Sequence, residues 1–203
     1  VNWHQTWIRP SNGTLFVVGD TTMDEILPLL NEYFGKWREN RMAVPQKNLA
    51  EVPLKDSAVY LIDKPGAPQS LILAGHVAPP TGVANNIEIN TMNDVIGGSF
   101  TARVNMNLRE DKGYTYSPGS SISASYRAAD WTQSADVTTD VTGASLKEIF
   151  FEIDRLQDEA PSKEELAAVQ SYMAGVFVLR NSSRAGIINQ LEFLVRHGLP
   201  DDY

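Results

Sequence analysis

The 203-residue chain contains no cysteine, which excludes a disulfide framework, a thiol nucleophile and a thiolate metal site. Acidic residues outnumber basic ones, so the net charge is −8 and the pI is near 4.9. This charge argues against a nucleic-acid binder, which needs a basic face. No apolar run approaches the roughly 18 residues that a membrane-spanning helix requires. What is present is ordinary for a globular protein, with 42% hydrophobic and 21% charged residues. The composition therefore predicts one large domain, or two very small ones.

Hydrophobic periodicity predicts strands that follow one another in adjacent pairs. The predicted strands cover residues 14–18, 59–63, 70–77, 114–126 and 131–140, the first of them buried. Helices are predicted from Thr22 to Phe34, over 86–96 and 101–111, and on apolar stripes at 146–156, 166–177 and 187–195. Capping boxes are predicted at Thr22–Glu25 and Ser162–Glu165, and a turn at Lys64-Pro65-Gly66. The apolar stripe of the helix at 101–111 is Phe100, Val104 and Leu108, each four residues apart. Strands in adjacent pairs favour antiparallel pairing. We therefore expect an α+β domain with a mostly antiparallel sheet and helices packed on one face.

Several common catalytic motifs are missing. The histidines His4, His76 and His197 have no regular spacing, and neither H-E-x-x-H nor H-x-x-E-H occurs, so no zinc site built by this chain alone is expected. The serines at 117–125 do not form G-x-S-x-G. Gly97-Gly98-Ser99 precedes a helix but lacks a following Lys-Ser/Thr pair, which favours close packing over phosphate binding.

Two strong hydrogen-bond donors remain at one helix-to-strand corner, Arg109 and Tyr116, seven residues apart. An arginine fork can grip a carbonyl or carboxylate, and a phenol can donate to a developing oxyanion. The residues alone leave another interpretation open, in which Arg109 pairs with Glu110, Asp111 or a helix-terminal carbonyl and Tyr116 packs in the core. Strand alternation predicts that Tyr114 shares a face with Tyr116.

Residues 100–117, FTARVNMNLREDKGYTYS, resemble the second-domain signature of the pitrilysin/insulinase zinc peptidases and the related mitochondrial processing peptidases. In that family an arginine and a tyrosine, seven apart, face the active site across a chamber, and Arg109 and Tyr116 match them with Gly113 between. Further agreement in order and spacing lies at 9–20, 34–37, 64–70 and 161–166. The resemblance extends over nearly the whole chain.

The resemblance implies the LuxS/mitochondrial processing peptidase-like metallohydrolase fold and metal-assisted peptide hydrolysis by a full assembly. It implies that Arg109 and Tyr116 are the catalytic residues of this chain, holding the substrate backbone and stabilising the tetrahedral intermediate. The zinc and a glutamate general base would lie in a homologous zinc-bearing domain or subunit, so this chain binds no cofactor and is not an enzyme alone. The alternative is a non-catalytic scaffold or substrate-holding subunit of the same family.

The resemblance also carries expectations about the whole protein. Residues 1–203 are expected to form a single C-terminal-type domain, a fragment of a longer peptidase chain with its C-terminal end truncated. The expected partners are a peptide substrate and the zinc-bearing domain, without nucleic acid or a membrane span. The bacterial periplasm or cell envelope is the expected compartment.

Overall fold

The computed structural model describes residues 2–38, 43–46, 56–123, 125 and 128–203. The described residues fall into two compact units, one built from 1–55 with 180–193 and the other from 56–179 with 194–203. The helices are α1 (Asn2–Trp7), α2 (Met23–Phe34), α3 (Asn86–Asn93), α4 (Arg103–Asn105), α5 (Thr142–Asp158), α6 (Lys163–Asn181) and α7 (Arg184–His197). The strands are β1 (Gln69–Ala78), β2 (Gly119–Ile122) and β3 (Ala129–Thr138).

In the first unit, the predicted helix is confirmed as α2. The Glu25 carboxylate accepts a hydrogen bond from the Thr22 backbone N–H at 2.9 Å, as the predicted capping box requires. The predicted buried strand at 14–18 is wrong, because these residues are irregular and the side chains of Leu15 and Val17 are exposed. An apolar run specifies burial only where another element covers it. Helix α1 was not predicted.

In the second unit, the three strands form one antiparallel sheet in the order β1-β3-β2. The β1–β3 register pairs Gln69 with Thr138 and Ala78 with Ala129, and the β2–β3 register starts with Gly119 opposite Ser134. Strand β3, which two antiparallel neighbours flank, is therefore the central strand. The predicted antiparallel sheet is confirmed, with β1 and β3 close to the predicted bounds.

Helical segments cover one face of this sheet. Helix α3 continues as a π-helical segment over Asp94–Gly98, and α4 continues as another over Met106–Asp111, which together confirm the predicted helices at 86–96 and 101–111. The core cluster lies between these segments, α5 and the sheet: Ile72, Ile96, Val104, Leu108, Ala135, Val137 and Ile149. On β1, Leu71 and Leu73 alternate with Ile72 and are exposed on the opposite face. The predicted α+β class with helices on one face is confirmed.

Two predicted strands differ from the structure. Residues 59–63 are irregular, and each side chain from Val59 to Ile62 is at least 89% exposed. The turn after them forms as predicted, because Ala67 N–H donates to the Lys64 carbonyl at 3.2 Å and Gly66 has φ 76°. A turn sequence and an apolar run determine only the local backbone conformation. A β-strand forms only where a neighbouring strand hydrogen-bonds to it. The strand predicted over 114–126 is confirmed only at β2, and part of the remainder lies outside the described residues.

Candidate functional site

The predicted corner forms at the end of the π-helical segment that carries Arg109. Lys112 N–H donates to the Asn107 carbonyl and Tyr114 N–H donates to the Leu108 carbonyl, both at 2.9 Å. Gly113 between them has φ 66°, a left-handed conformation that strains residues with a Cβ atom. The chain therefore reverses within a few residues of Arg109, which brings the following tyrosines back toward the helix.

The segment after this turn is attached to the central strand by two hydrogen bonds. Thr138 N–H donates to the Tyr114 carbonyl at 3.4 Å, and the Thr115 hydroxyl donates to the Asp136 carbonyl at 2.6 Å. Tyr114 packs against the core cluster, whereas Tyr116 is 77% exposed. The prediction that the two tyrosines share a face is wrong, because these residues are not in a strand and the two-residue alternation does not apply.

The structure brings Arg109 and Tyr116 together. The guanidinium carbon of Arg109 lies over the Tyr116 ring, 4.6 Å from its centroid, and over the Phe100 ring at the same distance. Such distances fall within the range of a cation–π interaction. Phe100 was expected on the helix stripe with Val104 and Leu108, but it precedes α4 and is exposed while the other two are fully buried.

Few polar partners contact this pair among the described residues. Arg109 Nε lies 3.2 Å from the Glu110 carboxylate, so one of the ion pairs that the sequence left open is present. The other half of that interpretation, Tyr116 packed in the core, is not. Within the described part of the chain, Glu110 is the one ionic partner of Arg109, and the Tyr116 hydroxyl has no hydrogen-bond partner. The corner therefore combines a half-buried cationic fork with a solvent-exposed phenol.

The helix that carries Arg109 is fixed to two other helices by polar contacts. Arg103 pairs with Glu165 at the start of α6, with Nε 2.9 Å from Oε1. The Asn107 amide donates to Glu148 at 3.0 Å and to the buried Glu152 at 2.8 Å, both on α5. Hydrogen bonds that involve a charged group are stronger than neutral ones. These contacts set the position of the helix end from which Arg109 projects.

Gly97, the first glycine of the pair that precedes this helix, packs closely against the sheet. A Cβ atom on Gly97 would lie 2.7 Å from both Gln133 Oε1 and Ser120 Oγ, which is too close for a side chain. Nearby, Asn93 Oδ1 accepts hydrogen bonds from the Ser120 hydroxyl at 2.8 Å and from the Trp131 indole at 3.0 Å. The sequence interpretation of close packing at these glycines agrees with this geometry.

The described residues do not fit a zinc site. His4 lies in α1, His197 in the last turn of α7, and His76 in β1, where its ring stacks on Trp131 with centroids 5.4 Å apart. No group of three or more histidine, cysteine, aspartate or glutamate side chains among the described residues is arranged to hold a metal ion. In the same part of the chain, no helix is long and apolar enough to cross a membrane.

Residues 1–173 match the family model of the peptidase M16 inactive domain. The chain belongs to this family, whose members are parts of zinc protease-like proteins. The resemblance to the insulinase-type zinc peptidases is thereby confirmed.

Similar proteins agree with this assignment. An uncharacterized zinc protease of Mycobacterium leprae is 24% identical over 123 residues, which are 60% of this chain and 27% of that protein. A protease from Helicobacter pylori has a TM-score of 0.86 at 17% identity, over 97% of this chain and 48% of that one. The periplasmic protease PqqL from Escherichia coli has a TM-score of 0.67 at 16% identity, over 89% and 20%. The chain thus spans less than half the length of these proteins, and the structural likeness shows a shared fold.

Proposed function

We propose that this chain supplies one half of a composite active site in a zinc-dependent metalloendopeptidase. Its catalytic residues are Arg109 and Tyr116, which bind the substrate backbone beside the scissile carbonyl. The observation that carries the proposal is the pair itself: the guanidinium of the half-buried Arg109 lies 4.6 Å from the ring of the exposed Tyr116, whose hydroxyl is unpartnered among the described residues.

The two side chains suit different parts of peptide hydrolysis. The guanidinium is always charged and offers several N–H donors in a fixed plane, so it can hold peptide carbonyl oxygens in place. The neutral phenol can donate to the oxyanion that develops when the scissile carbonyl is attacked. Removing one donor of this kind from an enzyme costs roughly 2.7–4 kcal/mol of transition-state stabilisation.

Hydrolysis by this route also needs a zinc ion and a general base, which the described residues do not provide. We infer that both belong to a homologous zinc-bearing domain or subunit, and that the peptide substrate lies between that domain and the Arg109–Tyr116 corner. This chain covers 27% of the Mycobacterium leprae protein and 48% of the Helicobacter pylori protein. The remaining part of such a longer peptidase chain is large enough to hold a zinc-bearing domain.

The direct test is Tyr116→Phe in the assembled, zinc-loaded protein, with Tyr33→Phe as a control at another exposed tyrosine. We expect kcat on peptides to fall about 100-fold or more in the Tyr116 variant and to stay unchanged in the control. The urea midpoint should stay the same in both variants, because neither tyrosine hydroxyl makes a hydrogen bond among the described residues. Normal turnover by the Tyr116 variant would remove the proposed role.

A non-catalytic scaffold or substrate-holding subunit is the second candidate. The Glu110 carboxylate, 3.2 Å from Arg109 Nε, favours it because it already neutralises part of the fork. The rest of the gene and the neighbouring genes distinguish the two candidates, because only the enzyme requires a zinc-binding domain. A zinc-binding H-x-x-E-H motif there, together with hydrolysis of peptides that chelators abolish, supports the enzyme. Peptide binding without hydrolysis in the complete assembly supports the scaffold.

We also propose that the protein works in the bacterial periplasm or cell envelope. The support is the likeness in fold to the periplasmic protease PqqL. Fractionation of cells that express the full-length protein, followed by immunoblotting, tests this location. Recovery in the cytoplasmic fraction alone would contradict it.

A further inference from the structure

We propose that Phe100 is a positioning residue that holds the Arg109 guanidinium beside Tyr116. The inference rests on the proposed function, since it assigns the residue that prepares Arg109 for substrate. The guanidinium carbon lies over both rings, 4.6 Å from the centroid of each, so Phe100 and Tyr116 contact the same cation; we call this pair of contacts the aromatic clamp. Tyr116 is proposed to bind substrate through its hydroxyl, whereas Phe100 affects the reaction only by positioning Arg109.

Phe100 does not contribute to the hydrophobic core. Its side chain is 60% exposed, and it lies outside the cluster that contains Val104 and Leu108. The Arg109 side chain, in contrast, is only 27% exposed although it lies at the surface. Contact with the Arg109 cation therefore accounts for the position of the exposed Phe100 ring, whereas burial in the core does not.

The backbone around Phe100 is held in place by its neighbour Ser99. The Ser99 hydroxyl donates to the Asp94 carbonyl at 2.8 Å. The Ser99 carbonyl in turn accepts from Ala102 N–H at 3.2 Å and from the Asn105 side chain at 3.0 Å. Phe100 therefore projects from a turn tied to the helical segments on both sides, so its ring has a defined position relative to Arg109.

Cation–π contact restricts the guanidinium, and among the described residues no hydrogen bond uses its two terminal nitrogens. Ring faces attract the cation through the negative face of the aromatic quadrupole. The donors lie in the guanidinium plane, and Glu110 approaches at Nε, 3.2 Å away. The two terminal nitrogens therefore remain for substrate carbonyls, and their position is set before substrate arrives. Such preorganisation reduces the entropy lost on binding.

The activity test compares Phe100→Leu with Phe100→Tyr in the assembled, zinc-loaded protein. Leucine keeps an apolar side chain but removes the ring face, so we expect kcat/KM to fall about 3- to 30-fold. Tyrosine restores the face and should restore kcat/KM. Phe151→Leu, at an exposed phenylalanine on α5, is the matched control and should change nothing. The urea midpoint should be unchanged in all three variants.

A double-mutant cycle separates positioning from a general structural effect. In an Arg109→Ala background, Phe100→Leu should cause no further loss of kcat/KM, because the group that it positions is gone. An additional loss of the same size in that background would overturn the positioning role. Full activity of Phe100→Leu in the native background would overturn it as well.

A spectroscopic measurement on the chain tests the clamp independently of the proposed function. Two stacked rings should shift the NMR resonances of the Arg109 δ-methylene protons upfield. Phe100→Leu should move them toward the ordinary arginine position, and Phe100→Tyr should leave them shifted. Unchanged resonances in the leucine variant would overturn the clamp. If Arg109→Ala retains full activity while the resonances respond as expected, the proposed function fails and the positioning role falls with it, but the clamp stands.

Discussion

The Arg103 guanidinium and the Glu165 carboxylate form a two-point ion pair between α4 and the start of α6. The Nε–Oε1 distance is 2.9 Å and the Nη2–Oε2 distance is 3.2 Å, and the Arg103 side chain is almost completely buried. The same carboxylate accepts the Ser162 backbone N–H at 2.8 Å, which completes the cap of α6. One side chain thus satisfies a buried cation and a helix terminus at once.

Stability is predicted to fall in acid through Glu165. The hydrogen bond from Arg103, followed by the one from the Ser162 backbone, lowers the pKa of this carboxyl from 4.5 to about 2. A carboxyl whose pKa is lowered by folding stabilises the protein above its unfolded pKa, and this stabilisation is lost as the pH falls toward the folded value. The loss should therefore occur between pH 4.5 and about 2.

Urea unfolding across this pH range checks the prediction. Because the Glu165 side chain is 37% exposed, screening by water reduces its contribution to about 1–2 kcal/mol. Glu165→Gln should lower the free energy of unfolding at neutral pH and flatten its dependence on pH. A variant whose pH profile runs parallel to that of the native protein would contradict the assignment.

Replacing Arg109 with lysine should separate charge from geometry. Lysine keeps the positive charge but loses the planar fork and much of the stacking between two rings. If the proposed function holds, kcat/KM of the assembled, zinc-loaded protein should fall roughly 10- to 100-fold, with the urea midpoint unchanged. A lysine variant with native activity would show that a point charge suffices at this corner.

Gly97 and Gly143 should respond to alanine in opposite directions. At Gly97 a Cβ atom meets Gln133 and Ser120 at 2.7 Å, so Gly97→Ala should cost about 1–3 kcal/mol of stability. At Gly143, in α5, nothing lies within 4 Å of the added atom. Alanine favours helix by about 0.5–1 kcal/mol over glycine there. Thermal unfolding of both variants measures the contrast. A Gly97→Ala variant at least as stable as the native protein would be inconsistent with the close contact at Gly97, and a destabilised Gly143→Ala variant would contradict the open space at Gly143.

Leu108 anchors the helix that carries Arg109. Its side chain is fully buried in the core cluster, so Leu108→Ala should reduce the free energy of unfolding by about 2–5 kcal/mol. Leu73→Ala, at an exposed position on β1, is the control, and its effect should stay below about 1 kcal/mol. Chemical denaturation of the two variants measures the difference. Similar losses at both positions would place Leu108 outside the main core.

Features that depend on neighbouring residues in the chain were predictable. The Ser162–Glu165 capping box follows from spacing, and the burial of Val104 and Leu108 follows from helical periodicity. The antiparallel β2–β3 pairing follows from strands in adjacent pairs, whereas β1 pairs with β3 and not with residues 59–63. Phe100 was misplaced because periodicity was extended past the start of α4. Residues 59–63 were misassigned because their composition could not show whether a ladder partner was present.

The sequence by itself determined that Arg109 lies near a helix end, because the buried spacing before it and Gly113 after it are local signals. It also determined the family, through residues spread along most of the chain. The resemblance had already matched Tyr116, and not Tyr114, to Arg109. Only the tertiary structure decided that the Tyr116 ring lies against the guanidinium and that the Phe100 ring contacts it as well. The physical reason is that hydrogen bonds to β3 orient residues 114–116. Those bonds join positions that only folding brings together.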